Sequence, residues 1–488
     1  MVFDLTLAQV IFLVYLALVL GVGIIASRFT YLSPADFYIA ERTIGTLILG
    51  LTFVATILSA FTVFGIGQNA AFAGPATFIF LSLAAVFYTL VFATVGVTLY
   101  EVGKDRDVVT PSEYIRARYD SPGLGVLYLV VTGIFMVSLI VAQLFGGGVA
   151  LDVLMGIPYN LAIILMAGFM LVYIHIAGYR GVVWSDTIQS IVLFGALGGI
   201  VAWLLVGNQA DSLAVEATEV TPEIFTLLGP IGLWTPLFIL TFALAFTFGV
   251  PAYPHMIQRY FSAADGFTVR KSGFVFAIIA IPIYFFGIVL GTWSIGIIPD
   301  PPNPDHLIPL LVEALFHPVI FGIVMAGAIA AIMSTADSVA LTMSSMISRD
   351  VYTPYVDPDA SPVMQVRITQ ALLIIIILVA LGAAWIRPGT IFQVVEFAVV
   401  GLGTTSAPVF LGALWKRSTT SAAAISLVVG PGLLILFEVG IRGIDHPWGI
   451  HHGFISLIAA YVSFILISFL TTPPSEQSVA AYSRNLFR

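Results

Sequence analysis

The stretch Ala326–Tyr352, AGAIAAIMSTADSVALTMSSMISRDVY, decides the fold. It begins with small apolar residues of the kind that let helix backbones approach closely in lipid. It then becomes polar without becoming a loop, because no Pro or Gly interrupts Ala328–Thr353. At about 100° per residue, Ser334, Asp337, Ser338, Ser345 and Ser348 share one side of a helix, with Thr335 and Thr342 at its margin. Hydroxyls and a carboxylate in an apolar helix are costly unless they face water, an ion or partner groups.

The rest of the chain makes that cost real. Of its 488 residues, 59% are hydrophobic and 9% charged, against about 25% charged in ordinary soluble domains. Apolar runs long enough to span a bilayer recur from end to end, which implies an all-α polytopic membrane protein with the lipid bilayer as partner. A barrel would show alternating segments of about 10 residues instead. With no cysteine, disulfides, thiolate metal sites and Cys nucleophiles are excluded. The net charge of −8 argues against nucleic acid. The first apolar run, Leu7–Ala26, is too long for a signal-peptide core and reads as a retained spanning helix.

Thirteen spans are expected, at about 7–27, 43–72, 77–101, 123–154, 159–177, 184–207, 232–256, 272–297, 307–350, 364–386, 390–414, 419–440 and 453–471. With the N-terminus outside, 16 of the 18 Lys and Arg fall on the inner side, and only Arg387 and Arg442 fall outside. Residues 1–471 therefore form one transmembrane unit in the cell membrane, and 472–488 a short cytoplasmic tail. Spans two to six (about 43–207) and seven to eleven (about 232–414) are two sets of five. An odd number per set inverts the second against the first. The first span of each set is interrupted, by Gly65, Gly67, Gln68, Asn69, Gly74 and Pro75 in one and by Gly249, Pro251 and Pro254 in the other. Paired interrupted helices point to a midplane binding site.

Three ionisable residues lie well inside spans: Asp186, Asp337, and Glu396 beside Gln393. Asp152, His175, Glu313, His317 and Glu438 lie nearer span ends and read as interfacial. Ala331, Ser334, Thr335 and Ser338, spaced i, i+3, i+4, i+7, face one way. Hydroxyls with freed carbonyls near Ala55 and Leu58 would suit a hard monovalent cation. A helical Ser or Thr can also bond one turn back, which explains one or two hydroxyls but not the whole stripe.

Ala330–Tyr352 resembles the signature helix of the sodium:solute symporter family, which includes sodium-coupled sugar, proline, pantothenate and sialic acid carriers. Three further stretches agree: Ala55–Ala60 (ATILSA) leading to Gly65, Trp184–Gln189 (WSDTIQ), and Pro254–Phe261 (PHMIQRYF) followed by Arg270, Lys271 and Ser272. The resemblance covers nearly the whole chain. It implies a leucine-transporter-type fold, five plus five inverted helices with one extra N-terminal and two extra C-terminal helices, and sodium-coupled uptake by alternating access. It implies a shared sodium site of the Ala55, Leu58 and Ala331 carbonyls with the Ser334 and Thr335 hydroxyls. In some members it implies a second cation site, here Asp186, Ser334, Asp337 and Ser338. A carboxylate at 337 departs from the hydroxyl usual there, which leaves sodium or proton open as the second ion.

Candidate contacts for a small-molecule solute between the broken helices are Ser59, Thr62, Gln68, Gln143, Tyr253 and Gln393, with Phe61 and Phe248 as gates. The Pro254-His255 pair is more similar to the proline, pantothenate and carboxylate branches than to the sugar branch. Other classes fare worse. A membrane sensor needs a signalling domain that a tail of about seventeen residues cannot hold. An enzyme needs clustered ligands or a nucleophile with its base, and the seven His are scattered. A proton-coupled carrier using Asp186 and Asp337 remains the alternative. No obligate protein partner is evident.

Overall fold

The computed structural model describes residues 5–27, 38–207, 209–440 and 446–475. Arg28, Arg442 and most of the expected tail, with Arg484 and Arg488, lie outside the described residues. The apolar runs fold into helices because only an α-helix satisfies its own backbone in lipid. Among the described residues there is no strand, only an isolated bridge between Ile44 and Ala263.

In chain order the helices are α1 (Leu7–Ser27), α2 (Thr46–Ile57), α3 (Phe61–Ala73), α4 (Thr77–Arg106), α5 (Pro111–Arg118), α6 (Pro122–Met155), α7 (Tyr159–Val206), α8 (Ala210–Val220) and α9 (Pro236–Ala252). They continue as α10 (Pro254–Ser262), α11 (Gly266–Ile297), α12 (Leu307–Leu315), α13 (Pro318–Tyr355), α14 (Pro362–Ile386), α15 (Ile391–Leu414), α16 (Thr420–Val439) and α17 (His452–Leu470). Their starts follow local chemistry. Thr110, Ser121, Thr235, Asp265, Ser361 and Thr419 each accept a backbone N–H of the first turn of the helix they precede.

Ten helices among the described residues are long and apolar enough to cross a membrane, and two bent pairs bring the number to at most twelve. The fifth expected span, 159–177, is the shorter apolar segment Tyr159–His175, and it lies end to end with the candidate span Val182–Val206 in the 48-residue run of helix α7. The expected span 307–350 is likewise two pieces, α12 and α13, because Pro318 opens a new helix after Phe316 leaves helical geometry.

Both expected breaks are present. α2 and α3 meet at 63°, and α9 and α10 at 52°. Leu58 is extended at φ −73°, ψ 102°. Tyr253 is similarly extended at φ −54°, ψ 131°, the conformation a following proline imposes. α3 ends at Gly74, whose φ of +101° suits glycine alone. Behind the break, α11 approaches α3 so closely that a Cβ on Gly291 would lie 2.0 Å from the Gly67 carbonyl. α13 sits inside, against α1, α6 and α7 and beside the first break. α1, α14 and α17 expose large apolar side chains along much of their length, as lipid-facing helices do.

Candidate functional site

The polar stripe of α13 meets the break in the first bent pair. Ser334 Oγ lies 2.8 Å from the Ala55 carbonyl and 2.9 Å from that of Ala331. Thr335 Oγ1 donates to the Thr56 carbonyl at 2.9 Å and lies 3.4 Å from Ala331 O. The Leu58 carbonyl, at the break itself, accepts no backbone hydrogen bond among the described residues. Two hydroxyls and three carbonyls, those of Ala55, Thr56 and Ala331, thus converge with no ionised group among them. Such a neutral oxygen set fits a hard monovalent cation. Among the described residues no cluster of three His, Asp or Glu could hold a metal ion instead.

One turn along α13 the chemistry changes. Arg259, on α10, is fully buried. Its Nη2 donates to Asp186 Oδ2 at 2.9 Å and to Ser338 Oγ at 2.6 Å. Its Nε reaches Thr52 Oγ1 at 3.1 Å and its Nη1 the His255 carbonyl at 3.1 Å. Thr52 in turn donates to Asp186 Oδ2 at 2.7 Å. This corrects two expectations. Arg259 is not an inner-surface charge, and Asp186 and Ser338 meet through a guanidinium. A buried charge must be paired, and α10 carries the only cation close enough in the described network.

Asp337 stands apart from that network. It is fully buried, and neither carboxylate oxygen has a hydrogen-bond partner. Tyr15 of α1, Tyr173 of α7 and Asp186 are within electrostatic reach. A buried carboxylate without a partner is untenable as a bare charge, so it needs a proton or a small cation.

A narrow cavity adjoins both breaks. Ser59, Phe61 and Tyr253 line it, together with Thr335. Phe61 contacts Phe246 and Phe392 at centroid separations of 6.1 and 5.2 Å. The other expected solute contacts are elsewhere. Gln143 Oε1 accepts Ala60 N–H at 2.9 Å, tying α6 to the start of the second half-helix. Thr62 bonds back to the Ile57 carbonyl at 3.3 Å. Gln68 is buried on α3 away from the cavity lining, with an unpartnered Oε1. Phe248 packs on Phe410 and Tyr461, behind α9. Gln393 completes a capping box with Thr390 at the start of α15.

Three acids singled out in the sequence pair with histidines, Asp152 with His306 at 3.6 Å among them. Glu396 pairs with His451 at 2.8 Å, and Glu438 with His452 at 2.9 Å. His255 is buried beside Tyr253, and neither ring nitrogen has a partner. Sequence reasoning missed Arg259 as a site residue, and Tyr88, Phe246 and Tyr284 as cavity lining. Arg259 carried a signal, being a charge directly after the break and next to the apolar Tyr260 and Phe261. The aromatics carried none, since helical spacing of Tyr and Phe reads equally as core.

The sodium:solute symporter family model matches residues 37–430. A sodium/pantothenate symporter of Escherichia coli (strain K12) is 28% identical over 467 residues, covering 93% of this chain and 94% of that protein. A high-affinity proline transporter of Bacillus subtilis (strain 168) is 27% identical over 361 residues, covering 71% and 73%. The substrate-bound, outward-open structure of a Na+-coupled sialic acid symporter superposes with a TM-score of 0.78 at 19% identity, covering 96% of this chain and 99% of that one. Mhp1, a nucleobase-cation-symport-1 family transporter, in a closed conformation, gives 0.58 at 13%, covering 91% and 97%. The fold is that of leucine-transporter-type carriers.

Proposed function

The chain belongs to the sodium:solute symporter family, and from that premise we propose that it takes up a small organic solute, an amino acid or a carboxylate, together with sodium. The observation that carries this reading is the meeting of Ser334 and Thr335 with the Ala55 and Thr56 carbonyls. Sodium binds there among the Ala55, Leu58 and Ala331 carbonyls and the two hydroxyls. It ties α13 to the broken α2–α3 pair, so its arrival and release favour different arrangements of the two, which is the basis of alternating access.

Two like-placed breaks support the reading of residues 43–207 and 232–414 as inverted repeats within one unit, 1–471. The Lys and Arg asymmetry, with the buried Arg259 left out of the count, supports an outer N-terminus and a cytoplasmic tail. A second coupling cation has one observation in its favour, the unpartnered Asp337 carboxylate. With Asp186 held by Arg259, the Asp337 carboxylate is the group there for a second sodium or a proton to neutralise. Solute uptake into reconstituted vesicles under opposed sodium and proton gradients tests both ions.

A further inference from the structure

The broken pairs α2–α3 and α9–α10 are fastened to each other at both ends. At one end the chain before α2 meets the end of α10. Ile44 N–H donates to the Ser262 carbonyl at 3.2 Å, Ala264 N–H to the Ile44 carbonyl at 3.0 Å, and Arg42 Nη1 to the Phe261 carbonyl at 2.8 Å. At the other end α3 meets the chain before α9, and there the fastening is a side chain. Trp234 has no exposed surface, and its Nε1 donates to the Ala73 carbonyl at 2.6 Å. Ala73 closes α3, and the last carbonyls of a helix have no partner within it. The cap therefore comes from a residue just before α9 begins at Pro236.

The backbone and the packing are both shaped to this contact. Gly229, at φ +68°, faces Gly74: a Cβ on Gly229 would lie 1.8 Å from the Ala73 carbonyl oxygen, and one on Gly74 would lie 2.9 Å from Gly229 Cα. Only glycine lets the two chains approach this closely. Ile224, in the same segment, is fully buried in a small cluster with Ala71 of α3, Ala217 of α8, Ile295 of α11 and Leu307 of α12. The Trp234 ring stacks with Phe80 of α4 at 5.5 Å and with Phe242 of α9 at 6.4 Å. Phe242 leads through Phe246 to Phe61, and those last two rings line the narrow cavity between the breaks. Trp234 itself is not part of that lining.

We infer that Trp234 is a positioning residue for transport: its indole N–H yokes α3 to α9, so that these two half-helices tilt as one body when sodium binds or leaves. It acts through Ala73 and touches no solute. The sodium oxygens lie against α2, the break and α13, so α9 needs a link of this kind to follow α3. The N–H is the coupling group, because a phenyl ring at 234 keeps the stacking and loses the bond. This rests on the sodium-carrier reading above.

The chain has no cysteine, so introduced cysteines carry the only spin labels. Phe72→Cys on α3, Leu240→Cys on α9 and Ile386→Cys at the end of α14 are all at exposed positions. Pairwise label distances are measured on the full chain in lipid nanodiscs, in sodium chloride and in choline chloride. The 72–240 distance is expected as one narrow population in both salts, while the 72–386 and 240–386 distances shift together on adding sodium. Trp234→Phe should split the 72–240 distance into two populations. It should leave the sodium shift of 72–386 in place and reduce that of 240–386 about twofold or more. Gly229→Ala, which keeps Trp234 and pushes its segment off Ala73, should do the same. A single 72–240 population in both variants, or two in the protein with Trp234 and Gly229 intact, overturns the inference. So does equal broadening of all three distances, which is a general loosening. Two outcomes separate it from the sodium reading. Reference distances that ignore sodium, with 72–240 split only in the variants, overturn the sodium reading and leave the yoke standing. Reference distances that respond to sodium, with 72–240 unsplit in the variants, do the reverse.

Discussion

Arg259 and Asp186 form an ion pair, Nη2 to Oδ2 at 2.9 Å, in which neither side chain has any exposed surface. The same nitrogen donates to Ser338. A permanent cation therefore stands where Asp186 and Ser338 would otherwise share a mobile one. It also links α10, the second half of one broken pair, to α2, α7 and α13.

Breaking this pair from one side strands a buried charge. Arg259→Met or Asp186→Asn alone should cost about 3–5 kcal/mol of stability. The double variant should recover much of that. Unfolding of the detergent-purified protein measures it as a double-mutant cycle, and strictly additive losses would contradict the pairing.

At the sodium site, Ser334→Ala removes one oxygen and Thr335→Ala a second. The pair together should raise the sodium concentration needed for half-maximal uptake by about tenfold or more. An unchanged requirement would remove both hydroxyls from the site.

Asp337→Asn keeps the shape of the side chain and removes its capacity for charge. If Asp337 carries the second ion, the charge moved per solute falls by one while uptake persists. Electrical current measured alongside labelled flux reports that ratio, and the same ratio in the variant would show that Asp337 carries no transported ion.

Asp305, in the loop before α12, accepts the Ile391 N–H at the start of α15. Burial pushes its carboxyl up to about 7. In the folded state it holds its proton across a range where the unfolded chain has lost it. Stability should therefore fall as pH rises from about 4 towards 7 and level off above. Asp305→Asn keeps an acceptor for Ile391 and should flatten that slope. Melting temperatures of both proteins across pH 4–8 decide it, and parallel profiles would contradict the assignment.

Different parts of this architecture were legible to different degrees. The broken helices were readable because Gly and Pro interrupt backbone hydrogen bonding wherever they sit. The stripe on α13 was readable because helical period alone puts its hydroxyls on one side. Arg259 was misplaced because counting charges by side assigns every cation to a loop or a surface. Only the tertiary approach of α7 and α13 reveals its partners. Gln393 also has a local structural signal, since Thr390 with Gln393 three residues on is a capping box. Tyr88 and Tyr284 were illegible as cavity lining, because they come from α4 and α11, which are far apart in sequence and joined to Tyr253 only by the fold.

The central claim is that a sodium gradient drives solute entry through the site where α13 meets the first break. The direct measurement is labelled-solute accumulation in vesicles reconstituted with the full chain, under an inward sodium gradient or an inward proton gradient, each without the other. The account predicts accumulation above equilibrium with sodium, lost when Ser334 and Thr335 are both alanine. Equal accumulation under the proton gradient in sodium-free buffer would contradict it.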